Sequence, residues 1–148
     1  MKEFNIKIFS DGANVKEIVS MDHDDAVDGF TTNPTLMARA GVKDYLSFAR
    51  EVLSHVKKKS ISFEVFSDDL EEMYNQALTL RDLGENVSVK IPVTNTQGIP
   101  TCPLIKKLSN EGVKLNVTAI FTKDQILKVY ESLNLAVSSI ISIFAGRI

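Results

Sequence analysis

The chain has 148 residues, 44% of them hydrophobic and 24% charged, which is the make-up of one ordinary globular domain and excludes disorder, collagen and coiled coil. Seventeen Lys and Arg against nineteen Asp and Glu leave a net charge of -2, so the basic footprint that nucleic acid or an anionic membrane surface demands is absent. Cys102 stands alone and forms no internal disulfide, the N-terminal stretch lacks the apolar core of a signal peptide, and the most apolar segment, 133–145, is broken by Asn134, Ser138, Ser139 and Ser142; a cytoplasmic protein with a small partner, no membrane and no nucleic acid is expected.

Short runs rich in Val, Ile and Phe alternate with longer runs of helical spacing, the signature of repeated βαβ units on a parallel sheet in a single domain over 1–148. Strands are predicted at 4–9, 26–31, 61–66, 87–93, 114–120 and 137–144. Before the second strand, 18–26 leaves room for about one helical turn. Asn33-Pro34 reads as a helix cap followed by proline at the first helical position. Leu46, Ala49, Leu53 and Val56 recur at helical spacing, and Lys57, Lys58 and Lys59 form a solvated helix end. The next helix is predicted to open at Ser67 or Asp68, to turn Leu70, Met73, Ala77 and Leu80 inward, and to stop at Gly84. A helix around Leu104, Ile105 and Leu108 follows Pro100 and Pro103 and ends at Gly112, and Thr122 with Gln125 forms a capping box ahead of Ile126, Leu127 and Val129. No repeat is visible beyond this rhythm.

Strands of a parallel sheet are covered on both faces, so polar residues within them need a reason. Glu64 lies late in the third strand, Lys90 in the fourth, Asn116 and Thr118 in the fifth and Ser142 in the sixth, while Asp11 and Asn33 follow the first and second. The carboxyl ends of parallel strands emerge on one side, where ligands bind. Desolvation among β-branched neighbours destabilises an ammonium ion, which makes a lysine in such a strand a candidate amine nucleophile toward carbonyls. With carboxylates and hydroxyls around it, this is the equipment of a Schiff-base aldolase; an ion pair of Lys90 with Glu64 across neighbouring strands accounts for two of the residues without chemistry.

Other candidates have plain structural readings. The acidic run Asp22, His23, Asp24 and Asp25 reads as a solvated loop rather than a metal site, His55 as an exposed helix residue, and Cys102 as packing. There is no P-loop and no GxGxxG.

Six segments in order, FSDGANV (9–15), GFTTNPT (29–35), ISFEVF (61–66), VKIPVT (89–94), LNVTAIFT (115–122) and FAGRI (144–148), resemble the transaldolase family, in particular its small subfamily with fructose-6-phosphate aldolase. The resemblance implies a (β/α)8 TIM-barrel fold, with only about six of its eight βα units in this chain, and a transaldolase that moves a dihydroxyacetone unit between ketose and aldose phosphates, as in the pentose phosphate pathway. It implies Lys90 as the Schiff-base lysine, Asp11 as the acid/base at the C4 hydroxyl, Glu64 as the acid/base acting through water, and Thr118 as the residue that positions that water. Thr32, Asn33, Asn116 and Ser142 resemble substrate-binding positions, and Arg147 resembles the phosphate-binding arginine. No metal or organic cofactor is implied. Sugar phosphates are the expected partners, and an incomplete ring of strands points to a homo-oligomer or to completion by another chain. Glu64 in place of glutamine favours transferase over a fructose-6-phosphate aldolase-like lyase. A non-catalytic, shortened remnant that binds a partner chain or a sugar phosphate is the rival from another class.

Overall fold

A computed structural model describes residues 5–147 and the side chains of 5–146. The chain forms two compact units, one running to Glu64 and taking in Leu83–Val87, the other comprising Val65–Asp82 and Ser88–Ile148. Both carry parallel strands followed by helices, the repeating element of (β/α)8 barrels, and the described residues hold six such strands. Among the described residues no helix is long and apolar enough to cross a membrane.

In the first unit β1 (Phe9–Asp11), β2 (Gly29–Thr31) and β3 (Ser60–Glu64) pair in that order, with Phe9 opposite Gly29 and Gly29 opposite Ser60. The first two start later than the apolar pattern predicts; residue 4 of the predicted first strand lies outside the described residues. The cause is a competing carboxylate: Asp28 accepts the Ile8 amide at 2.7 Å on its side chain, and Asp24 accepts the amides of Ala26 on its side chain and Val27 on its carbonyl. Residues 24–27 therefore close a turn, and backbone bonding between the two segments begins only at Asp28, whose amide donates to the Ile8 carbonyl at 2.7 Å.

Helix α1 (Val15–Asp22) has eight residues, about two turns where one was expected, because Asn14 just after β1 already caps the amides of Lys16 and Glu17. Asn33 accepts the Leu36 amide and Pro34 opens α2 (Pro34–Arg39), as the Asn-Pro pair predicts. Asp44 caps α3 (Tyr45–His55), and the Ser47 amide and hydroxyl hold its carboxyl below the usual carboxylate range. Phe48, Ala49, Val52 and Leu53 turn inward, and His55 is exposed. Of the three lysines beyond α3, Lys57 and Lys58 are exposed as expected, but the Lys59 ammonium reaches back to the carbonyls of Met21 and Asp24 at 3.3 and 2.7 Å. It neutralises the carbonyl end of α1 and the loop after it.

In the second unit β4 (Val87–Pro92, all but its first residue), β5 (Leu115–Ile120) and β6 (Ile140–Ile143) pair in that order. Helix α4 (Leu70–Arg81) is capped by Asp69, one residue after the predicted start, and it ends at Arg81 rather than running to Gly84. Asp68 is engaged elsewhere: its carboxylate accepts the Thr96 amide at 2.7 Å and the Thr96 hydroxyl at 2.6 Å, which holds its carboxyl below the usual range. That clasp ties the loop after β4 to the loop before α4. The same loop is closed from within by Asn95, whose amide nitrogen and side-chain oxygen both bond to Ile99, and by Thr101, whose hydroxyl donates to the Pro92 carbonyl at 2.6 Å. Helix α5 (Cys102–Asn110) starts at the end of that loop, Glu111 caps it, and Gly112 follows with φ +81°. Thr122 and Gln125 make the predicted capping box of α6 (Lys123–Ser132).

Gly29 answers a close approach: a Cβ there would lie 2.7 Å from the Ser60 carbonyl oxygen and 2.6 Å from the Phe9 ring. The ring can move, but the paired backbone of β3 cannot. Gly29→Ala is expected to cost about 2 kcal/mol in denaturant unfolding; an unchanged midpoint would show that the three strands are looser than this packing requires.

Candidate active site

The polar residues singled out in the first unit lie at or just beyond the carboxyl ends of its strands. Asp11 is the last residue of β1, opposite Thr31 of β2, and the Thr31 hydroxyl donates to its Oδ1 at 2.7 Å. The Gly12 amide donates to the Thr31 carbonyl, so main chain and side chain tie the same two strand ends. Thr32, fully buried, leaves β2 with its amide on the Ser62 carbonyl. Asn33 spends its side-chain oxygen on the α2 cap.

Glu64 ends β3 and is half-buried. Its carbonyl accepts the Tyr45 hydroxyl at 2.8 Å, and the Tyr45 ring stands edge-on to Phe63 with centroids 6.1 Å apart. Burial, and after it the Glu64 charge, push the Tyr45 phenol far above its ordinary value, with the bond to the Glu64 carbonyl pulling the other way. Tyr45 is therefore a fixed donor.

In the second unit Lys90 is the fourth residue of β4 and 8% exposed, between Val89 and Ile91, which are fully buried. Among the described residues no other charged side chain is buried as fully. Lys90 pairs with Asn116 and Pro92 with Thr118, so strand alternation sets Lys90, Asn116 and Thr118 on one face of the ladder. Asn116 is 2% exposed and Thr118 3%. From β6 the Ser142 hydroxyl donates to Asn116 Oδ1 at 2.7 Å, which fixes the orientation of that amide. The structure thus gathers four of the nominated residues, Lys90, Asn116, Thr118 and Ser142, on three neighbouring strands. Arg147 closes the short helical turn Ala145–Arg147, and its side chain lies outside the described residues.

Two residues escaped sequence reasoning. Thr31 reads as one half of a Thr-Thr pair, and only the strand register shows which of the two faces Asp11. Tyr45 reads as an ordinary helix residue, because its partner lies 19 positions away. Cys102 opens α5 half-buried, and the Asp24 side chain of the acidic run accepts the Ala26 amide. Among the described residues no three His, Cys, Asp or Glu side chains gather as metal ligands.

Residues 8–148 match the family described as Transaldolase/Fructose-6-phosphate aldolase. A protein named probable transaldolase from Dehalococcoides mccartyi is 37% identical over 143 residues, covering 97% of this chain and 62% of that protein. One of the same name from Methanococcus maripaludis is 39% identical over 143 residues with the same coverage. The chain spans about 62% of the length of these curated relatives. Among solved structures, the carboxyl transferase domain of Rhizobium etli pyruvate carboxylase with pyruvate and biocytin matches with a TM-score of 0.59 and 16% identity over 95% of this chain and 27% of that one, a likeness of fold.

Tyr45 carries a pH consequence. The folded chain holds its phenol proton more tightly than the unfolded chain does, so the stability it contributes is whole below about pH 10 and is lost as pH rises beyond that. Tyr45→Phe keeps the ring on Phe63, is expected to lower stability by about 1 kcal/mol at neutral pH, and should flatten the alkaline fall of stability; equal alkaline slopes in the two proteins would contradict this.

Proposed function

The chain belongs to the transaldolase/fructose-6-phosphate aldolase family, and from that premise we propose that it is a Schiff-base transaldolase acting on sugar phosphates through Lys90. What carries the reading is the buried amine of β4 on the same strand face as Asn116 and Thr118, with Ser142 braced on Asn116. A lysine side chain on a covered strand, with polar groups from the next strand on the same face, is placed to add its nitrogen to a carbonyl bound against that face.

In this reading the Lys90 nitrogen attacks the C2 carbonyl of a ketose phosphate, and the carbinolamine loses water to give a protonated imine. Asp11 takes the proton of the C4 hydroxyl as the C3–C4 bond breaks; the bond's electron pair passes into the imine and leaves an enamine, and an aldehyde departs. The enamine carbon then adds to the carbonyl of an acceptor aldose phosphate, and hydrolysis returns the amine and releases the new ketose. Glu64 moves protons through water in forming and cleaving the imine, with Thr118 positioning that water. Asn33, Asn116, Ser142 and Thr32 hold the three-carbon unit, and Arg147 takes the phosphate. Thr31 supports the role of Asp11 by fixing its carboxylate, and Tyr45 supports that of Glu64 by anchoring its backbone. Glu64 in place of glutamine favours transfer to an acceptor over release as in an aldolase. The reading also takes the chain to act as a homo-oligomer in the cytoplasm.

The test is chemical trapping. Incubation with fructose 6-phosphate followed by borohydride should leave a reduced three-carbon adduct on Lys90 by peptide mass spectrometry. Lys90→Met should abolish the adduct and lower turnover on the order of 10⁴-fold. A folded chain that gains no adduct on Lys90 would overturn the imine mechanism in favour of a protein that binds sugar phosphate, or a partner chain, without turnover.

A further inference from the structure

Strand β5 contains a defect in the part of the polar face beyond Lys90. Val117 pairs with Ile141 but Ile120 pairs with Ile143, so three steps along β5 match two along β6. The extra residue falls at 118–119, and Ala119 takes φ +59°, the only positive φ of a non-glycine among the described residues. Alanine gains nothing locally from that conformation, since its Cβ crowds the following carbonyl. Such a conformation persists only where the surroundings enforce it. Here they do: the Phe144 amide donates to the Ile120 carbonyl at 2.9 Å, and the rings of Phe121 and Phe144 meet edge-on at 5.4 Å.

The consequence lies in which face each side chain occupies. Asn116 and Thr118 share a face with Lys90, and a regular strand would put Ile120 next on it. With the extra residue, Ile120 instead joins Val117, Ile141 and Ile143 on the opposite face, where it is fully buried. The position that follows Thr118 on the polar face thus carries no isoleucine.

We propose that Ala119 is a positioning residue: its left-handed bulge clamps Thr118 and keeps the Ile120 side chain off the face of Lys90, which leaves water access to the imine. The inference rests on the imine chemistry above. Imine formation expels the C2 oxygen as water, and hydrolysis puts a water oxygen back at C2, so each cycle in H2¹⁸O labels the ketose carbonyl.

The experiment compares wild type with Ala119→Gly and Ala119→Val, measuring Lys90 adduct, thermal midpoint and the rate of ¹⁸O entry into C2 of fructose 6-phosphate at varied concentration. Glycine removes the local strain but widens the backbone range at 119, so Ala119→Gly should hold or raise the midpoint while the looser backbone lets Thr118 drift and slows the maximal exchange rate roughly five-fold at unchanged KM. Ala119→Val, whose branched Cβ opposes the left-handed region, should lose more exchange or fail to fold, and either outcome leaves the glycine variant decisive. Exchange by Ala119→Gly at the wild-type rate would overturn the positioning role, and so would a slower rate matched by a lower midpoint, which a purely structural bulge would give. Absence of a Lys90 adduct in wild type would instead overturn the transaldolase reading, and this inference with it.

Discussion

A cation in a covered strand sets terms for the chain around it. Lys90 is 8% exposed with Val89 and Ile91 wholly buried on either side, and taking an ammonium ion out of water is costly unless neighbouring polar groups compensate. β5 supplies Asn116 and Thr118 on the same face as Lys90, and β6 supplies Ser142 to hold Asn116. The apolar residues of these strands are the other half of the answer. Val89, Ile91, Leu115 and Val117 are fully buried, and they anchor the ladder that keeps the polar set in register.

The same division of labour recurs at the strand ends of the first unit. Asp11 is exposed, yet Thr31 bonds to its carboxylate from the neighbouring strand. Glu64 is half-buried, and its main chain is tied down by a tyrosine that keeps its proton under all ordinary conditions. In both cases a hydroxyl from a neighbouring element restricts an acidic residue at a strand end, which is how geometric precision is gained without added charge. The clasp of Asp68 on Thr96 does this for main chain, because it pins the loop that leaves the lysine strand.

Among the described residues a non-glycine takes positive φ at Ala119, in a strand otherwise regular through Thr118. A bulge there resolves a conflict between two periods. The polar face needs Asn116 and Thr118 two residues apart, and the apolar face needs Ile120 three residues after Val117. A two-residue repeat cannot supply both, and one inserted residue does.

Features whose hydrogen-bonding partners lie within a few residues were legible in the amino-acid order. The Asn33-Pro34 start of α2, the Thr122–Gln125 capping box and the β-branched surroundings of Lys90 are of this kind, since side-chain period and capping act over one turn of chain. So was the alternation of six strands with helices, together with the motifs that carry the family resemblance. What stayed hidden depends on partners brought together only by folding: Asp28 taking the Ile8 amide, Lys59 reaching Met21 and Asp24, Tyr45 on Glu64, Thr31 on Asp11 and the positive φ of Ala119. The sequence by itself determined which residue types stand at which strand ends. The tertiary structure decided which of them touch and where strands begin and bulge, because a donor, whether backbone amide, hydroxyl or ammonium, bonds to whichever acceptor the packed chain presents, and in these cases that acceptor is 20 or more positions away.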